Sequence, residues 1–292
     1  MTAPQRPRRS LMFVPATRPD RFEKAVATGA DIVCVDWEDA VAFEAKEEAR
    51  EAARPFFAGA SDGGPPGGGP SDGGPLKYLR INCVRTEEGL RDLLALVEWS
   101  HLPDGLLIPK TCSPEEIRWV EEIVSPARHD IELMPLIETA EGIRRVPEIL
   151  KASPRIKIAS LGSVDLATET GSDLAWETML YARTRLVHAA TEAGIDCMDT
   201  VWIDTEDLAG LKDEARRAAA LGLTGKAAIY PTQVGPINEA FSPTADSIDR
   251  ARRIVAAAEA SDYSGAAKVD GIMIDEPVVR AARRTLAVAE RL

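Results

Sequence analysis

The chain has 292 residues, 45% hydrophobic and 28% charged, the composition of a globular protein of one large domain or two ordinary ones. Its 47 acids against 35 bases give a formal charge of -12, and a surface of that sign excludes nucleic-acid wrapping and a polybasic membrane anchor. No apolar run is long enough to span a bilayer, no apolar core of a secretory signal follows the arginines of MTAPQRPRRS, and Cys34, Cys83, Cys112 and Cys197 form no CxxC, so a cytoplasmic protein with free thiols is expected.

In chain order, apolar runs predict strands at 11–14, 31–36, 78–82, 105–108, 131–137, 156–161, 195–203 and 227–230. Most are rich in Val, Ile and Leu almost throughout, as strands covered on both faces are. Amphipathic stretches between them, such as 44–57, 87–99, 114–123 and 208–221, predict helices. Eight strands with a helix after each is the count of a (β/α)8 TIM barrel. A doubly wound open sheet is the alternative, but no GxGxxG follows an early strand. The stretch 59–75, GASDGGPPGGGPSDGGP, is too rich in glycine and proline for helix or strand and reads as a flexible surface insertion. After the eighth unit come a helix over 244–260, a short apolar run over 268–274 and a final helix over 277–291. Residues 1–242 are therefore expected to form the barrel. Residues 243–292 are expected to form a C-terminal helical arm packing on a neighbouring subunit.

Barrel chemistry sits at the C-terminal ends of strands. Those ends carry Glu38 and Asp39, Arg80 and Asn82, Lys110, Glu138, Asp165, and Tyr230 with Gln233, while the first strand leads through Pro15 to Arg18 and Arg21. His101, His129 and His188 stand elsewhere, which argues against a histidine triad or a histidine-rich transition-metal site. Carboxylate oxygens suit a hard cation such as Mg2+, and Glu138 with Asp165, from neighbouring strands, is the best pair; each acid would equally serve as a helix cap. Arg80 can bind a substrate carboxylate or keto oxygen, or pair with Glu38 or Asp39 on the adjacent strand. Lys110 is a Schiff-base candidate if burial lowers its pKa, and otherwise an ion-pair partner. Trp37, Trp99, Trp119, Trp176 and Trp202 are expected to pack in the core or between helices.

Several motifs then occur in a familiar order. They are RSLMFVPATRPDRFEKA (9–25), DWEDAV (36–41), LRIN (79–82), LIPK (107–110), LIETAEGI (136–143), LGSVDLA (161–167), YARTRLV (181–187), GKAAIYPTQ (225–233) and GIMIDEP (271–277). With them the chain resembles the citrate lyase beta subunit-like group of the HpcH/HpaI aldolase superfamily. The resemblance implies a trimeric or hexameric (β/α)8 barrel that binds Mg2+ and makes or breaks a carbon–carbon bond in a 3-hydroxyacyl thioester. Malyl-, methylmalyl-, citramalyl- and citryl-thioesters of CoA or an acyl carrier are the implied substrates, with glyoxylate, pyruvate or oxaloacetate as the keto acid. Carried across by position, Glu138 and Asp165 look like the metal ligands, with Glu138 also near substrate, and Arg80 looks like the contact to substrate oxygens. Glu38 and Asp39 look like acids supporting Arg80 and metal-bound water, and Asp275 resembles an acid that some members insert into a neighbour's site. Arg18, with Arg21 and Lys24, could meet CoA phosphates or could be solvated charges. Two positions depart from the pattern: Trp37 replaces the usual Leu and is expected at the pocket floor, and Tyr230 replaces a His. A CoA-free aldolase acting on a 2-keto acid and a non-catalytic thioester-binding subunit are the alternatives.

Overall fold

The computed structural model describes residues 6–58, 74–125, 131–260 and 267–292, so all but the last two residues of the 59–75 insertion, and His129, lie outside the described residues. The chain forms two compact units, one over residues 8–240 and one over residues 241–292 with Arg6 and Pro7.

The larger unit is the (β/α)8 barrel that the strand count predicts. In order it contains β1 (Ser10–Pro15), α1 (Phe22–Val26), β2 (Ile32–Asp36), α2 (Lys46–Ala58), β3 (Leu76–Arg80), α3 (Glu87–Glu98), β4 (Gly105–Ile108) and α4 (Pro114–Val124). It continues with β5 (Glu132–Ile137), α5 (Ala140–Ile149), β6 (Ile158–Leu161), α6 (Ser163–Thr170), α7 (Trp176–Ala193), β7 (Asp196–Asp199), α8 (Leu208–Leu221), β8 (Gly225–Ala228) and α9 (Pro231–Ala240). Every strand pairs in parallel with its sequence neighbour, and β1 closes the ring on β8 with Leu11 opposite Ala227.

Alternation along the strands decides what fills the barrel. Leu11, Ile32, Cys34, Tyr78, Leu107, Met134, Leu136, Ile158, Met198 and Ala227 form one buried cluster inside it. The same inward parity continues from Ile32 and Cys34 to Asp36, from Tyr78 to Arg80, and from Met134 and Leu136 to Glu138. The inward rows thus turn from apolar to charged at the C-terminal rim. At the opposite end they begin with charge: Arg8 pairs with Glu132 at 2.6 Å and with Asp196 at 3.5 Å, and the Tyr78 hydroxyl donates to Glu132. Gly105 allows that arrangement, because a Cβ there would stand 2.4 Å from the Tyr78 ring.

Between the barrel and its helices lies a buried ion quartet. Lys226 of β8 meets Asp199 of β7 at 2.9 Å and Glu214 of α8 at 2.6 Å, and Arg183 of α7 meets the same two acids at 2.8 and 3.2 Å. The two cations balance the two acids, as burial requires.

The largest differences from the expected strand bounds at the C-terminal ends are in β3, β7 and β8. β3 spans Leu76–Arg80, so Asn82 follows it; β7 stops at Asp199, and Val201 to Ile203 form an apolar connection outside it; β8 ends at Ala228, before Tyr230. Hydrophobicity alone does not register where ladder hydrogen bonds stop. Two helices, not one, follow β6, and the short first one carries Asp165.

The smaller unit holds α10 (Ala245–Ala260), an antiparallel hairpin of β9 (Ala267–Val269) and β10 (Ile272–Ile274), and α11 (Glu276–Ala289). Asp270 and Gly271 both have positive φ, 49° and 79°, which is what an Asp-Gly two-residue hairpin turn needs. Its core is Ala251, Ile254, Ala258, Ile274, Val279 and Ala282. Among the described residues, no helix is long and apolar enough to cross a membrane.

Candidate active site

The charged rim is organised around Arg80. Asp36 and Arg80 are direct register partners across β2 and β3, so their side chains leave the barrel wall side by side. Asp36 clamps the guanidinium in bidentate fashion, accepting from Nε at 2.7 Å and from Nη2 at 2.6 Å. The remaining nitrogen, Nη1, faces Glu38 at 3.0 Å and Asp39 at 3.5 Å, and the guanidinium lies over the Phe13 ring at 4.9 Å. Burial works against the charge on Arg80, but Asp36 outweighs it and raises its pKa. Sequence reasoning named Glu38 and Asp39 as the partners of Arg80 and missed Asp36, its main one. The alternation in β2 was the available signal.

Glu138 stands just past β5 and is buried, with only 2% of its surface exposed. It accepts from the backbone N–H of Lys110 at 2.7 Å. Lys110 can present that N–H because it adopts φ 50°, a left-handed conformation uncommon outside glycine. Gly162, which opens α6, leaves the space Glu138 fills: a Cβ there would come within 2.3 Å of Oε2. Burial, joined by the negative charges of Glu38 and Asp165, pushes Glu138 up to about 8. Burial likewise holds Glu38 above the usual carboxylate range, with Arg80 pulling it down and Asp39 pushing it up.

Lys110 ties the two halves of the rim together. Its ammonium lies 2.5 Å from Glu38, 3.6 Å from Asp39 and 3.8 Å from Asp165. Burial alone would lower its pKa, but the hydrogen bond and charge of Glu38, with Asp39 and Glu138, reverse the direction and raise it. The condition for a Schiff-base lysine, a lowered pKa, is therefore not met.

The turn bearing Glu38 is fixed from behind. Lys46, at the start of α2, donates to the carbonyls of Trp37 and Glu38 at 2.9 and 3.1 Å, and Asn82 Nδ2 donates to the Trp37 carbonyl at 3.1 Å. Asn82 is held by Asp92 of α3, which also accepts from Arg50 Nε at 2.7 Å. These supports act on backbone, so they set where Glu38 and Asp39 start from.

Other predicted residues fall elsewhere. Trp37 does not form a pocket floor; its parity opposes that of Asp36, and its ring packs edge-on against Trp99, 5.4 Å between centroids. Trp119 is 56% exposed and so is not an interior residue, whereas Trp176 stacks under Arg183 and Arg217. Arg18 follows β1 but pairs in bidentate fashion with Asp20 at 2.8 Å, both exposed. Gln233 is structural: its Oε1 accepts from the N–H groups of Ile229 and Tyr230, and its Nε2 donates to the Trp202 carbonyl. Tyr230 is half exposed. Asp275 lies in the smaller unit, where it caps α11 by accepting from the Val278 N–H at 3.3 Å.

The donor set fits a hard cation. Five carboxylates (Asp36, Glu38, Asp39, Glu138, Asp165) share two cations, Arg80 and Lys110, and burial together with the nearby charges of Glu38 and Asp165 drives Glu138 toward neutrality. Glu38 Oε2 is buried without a hydrogen bond; its 3.0 Å approach to Arg80 Nη1 is one of charge alone. No group of three or more His, Cys, Asp or Glu side chains among the described residues encloses a ready-made metal cage. Two carboxylates completed by water and substrate is the arrangement Mg2+ favours.

A closed parallel barrel with acids, an arginine and a lysine gathered at its C-terminal rim defines a (β/α)8-barrel enzyme architecture. The sequence pattern of the HpcH/HpaI aldolase/citrate lyase family matches residues 9–231, and the chain belongs to that family. It is 32% identical to the mitochondrial citramalyl-CoA lyase of Homo sapiens over 97% of this chain and 86% of that protein. It is also 32% identical to the L-malyl-CoA/beta-methylmalyl-CoA lyase of Cereibacter sphaeroides, over 99% of this chain and 96% of that protein. Among solved structures, the protein CitE from Mycobacterium tuberculosis, in complex with magnesium, acetoacetate and coenzyme A, matches with a TM-score of 0.78 and 30% identity. That match covers 97% of this chain and 98% of the other.

Proposed function

We propose that this chain is a Mg2+-dependent carbon–carbon lyase that cleaves or forms a short 3-hydroxy-dicarboxylic acyl thioester. The single observation carrying the reading is the Arg80–Glu38–Lys110–Asp165 cluster around buried Glu138, at the barrel end where chemistry belongs, in a chain whose relatives are named lyases of such thioesters. Glu138 and Asp165 would hold the Mg2+ ion, which supplies Lewis-acid polarisation of a keto-acid carbonyl when bound.

In the cleavage direction the 3-hydroxyl loses its proton and the electrons of the carbon–carbon bond pass to the thioester as an enolate. Protonation of the enolate carbon then releases the acyl thioester and a keto acid such as glyoxylate, pyruvate or oxaloacetate. Arg80 supplies fixed positive charge beside the developing oxyanion, and its Asp36 clamp removes the need to reorient it. Glu38 and Asp39 set the position of Arg80 Nη1 and of ordered water. With no histidine at the rim among the described residues, a carboxylate moves the proton in this reading. Asp275 takes that role in this reading, delivered by a second copy in a homotrimer or hexamer. Mixing an Asp275→Ala variant with an Arg80→Ala variant should then regain part of the lost activity; subunit exchange without recovery removes the shared-site idea.

The reading as a whole is tested by a Mg2+-containing cleavage screen of malyl-, methylmalyl-, citramalyl- and citryl-CoA, read as liberated keto acid. Release from at least one thioester, abolished by EDTA, is the expected result. Cleavage of free 2-keto acids alone would favour a CoA-free aldolase. Calorimetric binding of acetyl-CoA with no turnover across the panel would favour a binding subunit.

A further inference from the structure

Lys110 combines two grips that work on different parts of the residue. Its backbone is fixed at both polar groups: the N–H donates to Glu138 Oε1 at 2.7 Å, and the carbonyl accepts from Arg85 Nη2 at 3.2 Å, Arg85 being anchored in turn on Glu116 at 2.6 Å. Its side chain is a flexible four-carbon stem, 30% exposed, whose ammonium sits among Glu38, Asp39 and Asp165. One residue thus holds Glu138 by its main chain and bridges to Asp165 by its tip. Among the described residues this tip is the one lysine charge paired with these acids, and it stands within 4 Å of one of the two proposed metal ligands.

From this geometry, and resting on the Mg2+ reading above, we infer that the Lys110 ammonium is a tethered counter-ion. It holds the carboxylate cluster together in the metal-free protein and competes with an incoming divalent cation for the charge of Asp165 and its acidic neighbours. A compact point charge on a mobile stem can swing away when the cation arrives, while the fixed backbone keeps Glu138 in place. Without such a stand-in, buried Glu138 and its acidic neighbours would repel one another in the metal-free state. With it, divalent affinity is set by the difference between two cations and not by the carboxylates alone.

The test is Mn2+ binding, followed by the electron paramagnetic resonance signal of the free ion, to the full chain and to its Lys110→Met and Lys110→Arg variants. Removing a unit positive charge a few ångströms from the ion should tighten Mn2+ binding by about tenfold or more in Lys110→Met. Lys110→Arg, which keeps the charge, should stay close to wild type. In EDTA, Lys110→Met should also melt below Lys110→Arg and gain more on adding Mn2+. Unchanged or weaker Mn2+ binding by a folded Lys110→Met, with wild type binding normally, would overturn the competition and leave the metal reading standing. Failure of every form, wild type included, to bind Mn2+ would overturn both, so wild-type binding, displaceable by Mg2+, is what separates the two results.

Discussion

Replacing Glu138 by Gln is expected to cut thioester cleavage by about 10^3-fold or more at saturating Mg2+, with the barrel intact by circular dichroism. The amide keeps the shape and still accepts from the Lys110 N–H, so what it removes is charge. A buried carboxylate pressed by Glu38 and Asp165 is costly to keep ionised, which is why it is tuned upward in the absence of a cation. The same variant should therefore melt at or above the wild-type temperature, since neutralising that charge relieves the metal-free fold. Activity lost while stability is kept or raised would mark Glu138 as a site residue and not a packing one. Retention of cleavage at any Mg2+ concentration would remove it from the mechanism. Gly162→Ala should give a weaker version of the same loss, because its methyl group would displace the Glu138 carboxylate.

The largest expected loss of stability lies away from the rim, at Asp199. Asp199→Ala leaves Lys226 and Arg183, both fully buried, sharing the single carboxylate of Glu214. An uncompensated buried charge costs about 3–5 kcal/mol, and for a chain of this size that lowers Tm by about 10 °C. Burial alone would raise the pKa of Asp199, but Lys226 and Arg183 hold it below the usual carboxylate range. Its contribution is then fully present above the unfolded-state value of about 3.9 and fades as pH falls through the lower folded value. Thermal melts of both proteins between pH 7 and pH 3 should show a constant gap down to about pH 4 that narrows below it. A gap that widens in acid, or an initial difference under about 1 kcal/mol, would contradict this account of the quartet.

Much of the barrel was legible in the sequence, because strands covered on both faces announce themselves as short apolar runs. The rim acids, Arg80 and Lys110 were legible for the complementary reason that they end those runs. Asp36 ends its run as the other rim acids do, but Glu38 and Asp39 just beyond it draw the assignment; only its parity with Cys34, and its pairing opposite Arg80, reveal a side chain that faces inward. Asp199 and Lys226 were hidden as charges within strands whose partners come from helices over ten residues away in the chain. Trp37 packs in the core, as a tryptophan beside an apolar run is expected to; its departure from the family pattern next to Glu38 does not reach the pocket, because successive residues leave a strand on opposite sides. No periodicity argument could have located Lys110's ammonium, since it depends on a positive φ and on where a long stem comes to rest.

The Arg8–Glu132–Tyr78–Asp196 group, with the apolar side chains stacked above it, makes the barrel a cup with a plugged base and not a tunnel. Reactants and products must share one doorway.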